Sequence, residues 1–256
     1  MQFFGNSDKG MKRPENQDSL LIEKLNDEMI LFLVCDGMGG AKGGSVASSL
    51  ASTSFVEYLK KNLKKNNKEG QLSFDADSTD ITDILNGAIT YANSAVYKKS
   101  ARSKRLAGMG TTLVGCIIHG EKMYIINVGD SRLYLSCSDG KLIQMTHDHS
   151  YVQALVDLGK ITPEEAATNP HKNIITKAIG ISANEQADVF CREIEETDEY
   201  ILLCSDGLTN FVDEKRISNI ISEYKDADKI CNTLISEANE NGGGDNITAI
   251  VVKLKD

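Results

Sequence analysis

At 256 residues, with 41% apolar and 25% charged side chains, the chain has the composition of an ordinary soluble globular protein. Its formal net charge of −9 excludes a general nucleic-acid binder, because a phosphate backbone demands a basic footprint, but leaves room for a local basic pocket for one phosphate. With three prolines and no Pro/Ser-rich linker, a single domain over 1–256 is expected.

The cysteines (Cys35, Cys116, Cys137, Cys191, Cys204 and Cys231) are scattered, with no C-x-x-C pair. They read as small hydrophobes in a reducing compartment, neither a disulfide framework nor a zinc site. No signal-peptide core opens the chain, and no apolar run approaches the roughly 20 residues of a membrane helix. A cytoplasmic protein with no membrane insertion is expected.

In chain order, a short apolar start gives way to turn-rich Asn6-Ser7-Asp8-Lys9-Gly10 and the polar loop 13–18. Strands are predicted from Ser19 and over 29–35, joined by Asn26-Asp27 as an antiparallel hairpin that returns Asp18 and Asp36 to one sheet edge. A helix follows from Ala41 to about Leu63. Residues 64–79 are a polar connection, and a second amphipathic helix spans about 81–97, with Thr79 or Asp80 as its cap. The period then changes to short strands at 111–118, 122–128, 132–136 and 141–145, read as an antiparallel meander. Residues 146–187 hold two short helices and are too polar for core. Strands at 188–194 and 199–204, helices at about 213–223 and 226–240, and a last strand over 247–254 complete the chain. Helix pairs between blocks of strands predict an α+β fold: two antiparallel sheets face to face, with helices outside.

The central stretch is Ile30-Leu31-Phe32-Leu33-Val34-Cys35-Asp36-Gly37-Met38-Gly39-Gly40, a buried strand delivering a carboxylate to residues with free backbones. Tyr200–Gly207 repeats the design with Asp206-Gly207. Asp139-Gly140, between two strands, reads as a simple hairpin turn. Asp18, Asp36, Asp130, Asp206 and Asp245 stand at strand ends. Gathered on one edge they would repel one another without a hard, oxygen-seeking cation such as Mg²⁺ or Mn²⁺; the competing reading is that they cap turns.

Six motifs occur in register: Arg13-x-x-Asn16-Gln17-Asp18, Asp36-Gly37-Met38-Gly39-Gly40, Gly108-Met109-Gly110-Thr111-Thr112, Val128-Gly129-Asp130-Ser131-Arg132, Cys204-Ser205-Asp206-Gly207-Leu208 and Gly244-Asp245-Asn246-Ile247-Thr248. From about residue 5 onward the chain resembles the metal-dependent serine/threonine protein phosphatases known as PP2C, most closely the bacterial branch. The resemblance implies an α-β-β-α sandwich with a flap at about 146–187. It implies hydrolysis of phosphoserine and phosphothreonine in proteins, opposing a cognate, membrane-anchored serine/threonine kinase, by a monomer carrying two tight Mn²⁺ or Mg²⁺ ions. It assigns Asp36 as bridging ligand, the Gly37 carbonyl, Asp206 and Asp245 as further ligands, and Asp130 with Asp206 to a weaker third metal. Asp18 matches an acid that holds water on the metals, and Arg13 matches the arginine that grips the phosphate. Gln17 replaces a common Glu. Met38 stands where eukaryotic members carry a histidine proposed as leaving-group acid, so that proton comes from water.

Other readings compete with these. A catalytically weak, phosphoprotein-binding regulator would have lost a ligand, and none is lost. A nucleotide-binding loop at 39–44 lacks G-x-x-x-x-G-K-[ST]. His147-x-His149 resembles a ligand pair that the family does not use. Arg132 is expected to pair with a neighbouring carboxylate. The basic run Lys98-Lys99-Ser100-Ala101-Arg102-Ser103-Lys104-Arg105 reads as a solvated helix end favoured by the dipole, or as a docking site for acidic phosphosubstrates.

Overall fold

The computed structural model describes residues 1–65, 72–73 and 78–255. Strands β1 (Gln2–Asp8), β2 (Ser19–Lys24), β3 (Met29–Cys35) and β4 (Gly37–Met38) lead into helix α1 (Gly40–Asn62). A small strand pair, β5 (Lys64–Lys65) and β6 (Leu72–Ser73), precedes α2 (Ser78–Arg102) and a 3₁₀ turn at Lys104–Leu106. Then come β7 (Gly110–Thr111), β8 (Leu113–His119), β9 (Lys122–Val128), β10 (Arg132–Cys137) and β11 (Leu142–Gln144). Short helices α3 (Tyr151–Asp157) and α4 (Pro163–Ala167) precede β12 (Asp188–Glu193) and β13 (Asp198–Cys204). The chain continues through α5 (Asp206–Thr209), α6 (Glu214–Glu223), α7 (Ala227–Glu240) and β14 (Ile247–Lys253).

Two five-stranded antiparallel sheets result, one ordered β1-β14-β13-β10-β11 and the other β12-β9-β8-β3-β2. Strand β3 shows why its sequence is apolar throughout. Leu31, Leu33 and Cys35 face α1 and α2, while Phe32 and Val34 face the opposing sheet. Side chains alternate across a strand, so a strand buried on both faces loses the polar half of the pattern. In β13, Leu202 and Cys204 pack toward α6 and α7, and Ile201 and Leu203 pack between the sheets. Each large apolar side chain so buried contributes roughly 1.5–3 kcal/mol. Of the six free thiols, Cys35, Cys116, Cys204 and Cys231 are buried, Cys137 is half-buried and Cys191 is exposed.

Four expectations are revised. The N-terminal stretch is a strand through Asp8, paired with β14 from Gln2↔Lys253 to Asp8↔Ile247. It is an edge strand with no fully buried residue, and its polar sequence tracks that half-exposure more than any backbone preference. Helix α2 runs five residues beyond its expected end at about residue 97, because Tyr97–Arg102 contains no breaker. Its N-terminus lies at Ser78; the side chains of Thr79 and Asp80, and most of the 64–79 connection, lie outside the described residues.

The meander is in fact two hairpins in different sheets: β8 pairs with β9, and β10 with β11. The chain changes sheets at Gly129-Asp130. There Gly129 has φ +110°, and a Cβ would strike the Thr112 side chain. Finally, 146–187 is a surface excursion only in its middle. Asp148, His149 and Ser150 at one end and Ala178 and Ile179 at the other are buried, joined by bridges Ser150↔Ile175 and Thr111↔Ile179. Helix α3 is capped by Ser150 accepting from Gln153 N, and α4 by a Thr162–Glu165 capping box.

Candidate active site

Register in the second sheet places Ser19 opposite Cys35, so Asp18 and Asp36 leave adjacent strands side by side. The Asp36 backbone is clamped on both sides: its N–H donates to Thr112 Oγ1 at 2.9 Å, and its carbonyl accepts from Thr112 N and Thr111 Oγ1, each at 2.8 Å. Thr112 Oγ1 also lies 2.7 Å from Ser131 Oγ, tying this strand end to the sheet-crossing corner. A Cβ at Gly37 would overlap the carbonyl oxygens of Gly44 and Gln17, so only glycine lets β4 pass between α1 and the 13–18 loop. From the other sheet, Asp206 opens α5 and Asp245 precedes β14.

These elements close a cleft of about 440 Å³ whose walls include Arg13, Asp36, Gly37, Met38, Asp130, Asn173, Asp206 and Asp245. All the acids singled out in the sequence line this cleft except Asp18, which lies beneath it. Asp18 Oδ2 accepts from Ser205 Oγ at 2.9 Å and Thr248 Oγ1 at 2.5 Å, whereas its Oδ1 is buried without a partner. Asp206 Oδ2 accepts from Asn210 Nδ2 at 3.0 Å, and its Oδ1 is likewise buried and unpartnered. Asp245 Oδ2 accepts from Arg13 Nη2 at 2.7 Å.

Burial is the largest cause pushing the Asp18, Asp36, Asp130 and Asp206 carboxyls upward, and the neighbouring acids add to it. Asp18 reaches about 7. At Asp206 the hydrogen bond from Asn210 Nδ2 and the Arg13 charge oppose part of the rise. Arg13 moves up through its hydrogen bond to Asp245. Among the described residues, no three His, Cys, Asp or Glu side chains already close on one point as a coordination sphere. Arg13 holds one of the oxygens that such a sphere would use.

The histidine pair diverges. His147 Nε2 meets Asp157 at 2.9 Å, while His149 Nδ1 accepts from Gly129 N at 3.1 Å and Nε2 faces Asp188 and Lys177. Arg132 pairs with Asp148, through Nε at 3.0 Å and Nη2 at 2.7 Å, and donates to Tyr134 Oη at 2.8 Å. Those hydrogen bonds bypass Asp130. Asp139-Gly140 is a plain turn between β10 and β11.

Several contributors escaped the sequence reading. Asn246 accepts from Gln17 N at 2.8 Å and donates to the carbonyls of Lys9 and Glu15 at 2.8 and 3.0 Å, so one side chain staples the Arg13 loop to β14. Thr112, Ser205, Thr248 and Asn246 lie within the quoted motifs, which was the available signal. Asn173 and Ile175, also on the cleft wall, come from the irregular segment and carried none.

A family model described as Protein phosphatase 2C matches residues 11–238. The serine/threonine phosphatase stp of Listeria welshimeri is 34% identical over 96% of this chain and 93% of its own length. The crystal structure of serine/threonine phosphatase Stp1 from Staphylococcus aureus superposes with a TM-score of 0.87 at 32% identity, covering 99% of this chain and 95% of that one. The catalytic domain of serine threonine protein phosphatase PstP, crystallised with two manganese ions, gives a TM-score of 0.81 at 32% identity, covering 100% of this chain and 98% of that one. With that match across most of its length, on the fold and the motifs described above, the chain belongs to the protein phosphatase 2C family.

Proposed function

We propose that this chain removes phosphate from phosphoserine and phosphothreonine in proteins at the cleft between its two sheets, with Asp36, the Gly37 carbonyl, Asp206 and Asp245 holding a divalent pair. Protein serine/threonine dephosphorylation is the activity carried by the named relatives of this family. The observation that carries the site assignment is the convergence of carboxylates on one cleft, with buried, unpartnered oxygens at Asp18 Oδ1 and Asp206 Oδ1. A buried acceptor without a donor costs about 1–3 kcal/mol, more when charged, so an electropositive occupant is favoured there. The donor set is all oxygen, which fits Mg²⁺ or Mn²⁺ and not zinc or copper. Filling the site requires Asp245 to exchange the Arg13 guanidinium for the cation.

When bound, such ions supply Lewis acidity and a water of lowered pKa. The chain does the rest. Arg13, freed from Asp245, presents a planar fork to two phosphate oxygens. Asp18, fixed by Ser205 and Thr248, keeps Oδ1 available to accept a hydrogen bond from the attacking water. The Thr111–Thr112 clamp holds Asp36 in place as charge builds. Met38 has no proton to give, so the leaving alkoxide takes its proton from water. Asp130 stands next to Asp206 and is assigned to a third, weaker ion. We further assign 146–187 as a flap beside the cleft of a single domain, and the protein as a monomer opposing a cognate kinase. Among the described residues no helix is long and apolar enough to cross a membrane.

A non-catalytic regulator would need one of these acids replaced, and all stand. The test is hydrolysis of phosphothreonine and phosphoserine peptides with Mn²⁺ or Mg²⁺, then after exhaustive chelation. Turnover is expected to vanish on chelation and return with metal; full activity in chelator would exclude this mechanism.

A further inference from the structure

A second cleft, of about 560 Å³, opens from the first and shares Asp130, Asn173 and Asp206 with it. A polypeptide with its phosphate in the first cleft can therefore run directly into the second past Asp130. One wall is the α3–α4 segment and the other is the stretch from the end of α5 to the start of α6. Val152, Val156, Ala166 and Val212 supply an apolar part of the lining. The volume is within the ~300–1,000 Å³ of ligand-binding clefts.

The charged lining is lopsided. Arg132 is spent on Asp148, and Asp130 and Asp206 belong to the catalytic cleft. What remains is Glu164, Asp213 and Glu214 against Lys172. Glu214 is 57% exposed, and its Oε1 accepts from Tyr134 Oη and lies 3.7 Å from Arg132 Nη1, a looser pairing than the one Arg132 makes with Asp148; Asp213 uses Oδ1 to cap α6 through Arg216 N. Among the described residues no hydrogen bond reaches their second oxygens.

We propose that this second cleft is a specificity subsite for the substrate polypeptide: it seats the residues beside the phosphorylated Ser or Thr and selects a Lys or Arg among them through Glu164, Asp213 and Glu214. The proposal rests on the phosphatase reading above. Its occupant is the substrate's own chain, because the cleft shares Asp130, Asn173 and Asp206 with the catalytic one and is lined by apolar side chains together with exposed acids.

The test uses the full chain with Mn²⁺ and phosphothreonine peptides in which Arg, Ala or Glu is scanned through five positions on each side of the phosphoresidue. p-Nitrophenyl phosphate, which reaches only the catalytic cleft, is the reference substrate. Wild type is expected to prefer Arg over Glu at one or more positions by about 3- to 10-fold in kcat/KM, mostly through KM and less at high salt. Glu164→Lys with Glu214→Lys should invert that preference while p-nitrophenyl phosphate kinetics stay unchanged. If the reversed protein does not fold, Glu164→Gln with Glu214→Gln should flatten the preference instead. No preference at any position, or a preference insensitive to these changes, overturns the proposal. A parallel loss on p-nitrophenyl phosphate also overturns it, since the residues would then act on the catalytic cleft. Wild type inactive on every substrate would overturn the phosphatase reading itself.

Discussion

Asp130 sits where the chain leaves one sheet for the other, and the residue beside it that could neutralise it, Arg132, is committed to Asp148 and Tyr134. Its carboxyl is raised first by burial and then by Asp206, and the Arg132 charge and a backbone hydrogen bond offset only part of that rise. Asp130→Asn should leave the melting temperature unchanged or higher, while phosphopeptide turnover falls roughly 10-fold or more, about 1.4 kcal/mol in the barrier. Calorimetry beside kinetics checks this; a lower melting temperature with turnover preserved would return Asp130 to a structural role. Arg13 differs because it pairs with Asp245 here and is also proposed to grip the phosphate. A hydrogen bond to a charged group is worth about 1.5–3 kcal/mol, so Arg13→Ala should lower kcat/KM roughly 10- to 150-fold. The same change removes the competitor for Asp245, so Mn²⁺ affinity measured by titration calorimetry should hold or rise. A loss of metal affinity would contradict the exchange of guanidinium for cation.

The loop from Lys9 to Gln17 has no regular secondary structure of its own across most of its length; Gly243 O and Asp245 hold its middle, and Asn246 fastens its two ends to the start of β14. Asn246→Ala leaves the Gln17 N–H without its acceptor, at a cost of about 1–3 kcal/mol. The expected result is a melting temperature lower by about 2–8 °C and faster hydrogen exchange over 10–17, with KM rising more than kcat falls because Arg13 is carried on that loop. Exchange that quickens evenly through the protein would show Asn246 to be a general packing residue. Elements with a strong internal pattern were legible at this scale. Strand 122–128 and hairpin 19–35 fell where alternation and turn chemistry placed them. Strand β1 did not, because an edge strand with polar residues carries no period of its own and is defined by its partner β14.

Over the whole molecule, the acids make stability depend on pH and metal together. Asp18 in the folded, metal-free protein titrates at about 7, above the ordinary carboxylate value near 4, and Asp36, Asp130 and Asp206 shift the same way. The folded state thus holds protons that the unfolded chain has already released. Stability from these groups is complete below about pH 4 and is lost as pH rises through about 7. Chelated protein should therefore melt at lower temperature at pH 8 than at pH 5, and Mn²⁺ should recover most of the difference at pH 8 by binding only the folded state. A chelated melting temperature that is flat or rises over that range would show the cluster to be better solvated than its burial indicates.

The amino-acid sequence by itself determined the strands buried on both faces, the helix pairs, and the six motifs that carry family membership, because periodicity and turn chemistry are local properties of a chain. It also singled out Asp36 and Asp206, since an Asp-Gly after a doubly buried strand has no hairpin to serve, and it gave no sign that Glu15 lines the same cleft. Only the tertiary structure decided that Gly129-Asp130 crosses between sheets, that Arg132 answers Asp148, that Asp18 lies beneath the cleft, and that Asn246 holds the Arg13 loop 231 residues away from Glu15. The second cleft was equally invisible, because its two walls come from residues about 50 positions apart, between Glu164 and Glu214, with no pattern relating them. Such contacts depend on which strand ends and loops the packed sheets bring together, and no local rule of spacing encodes that.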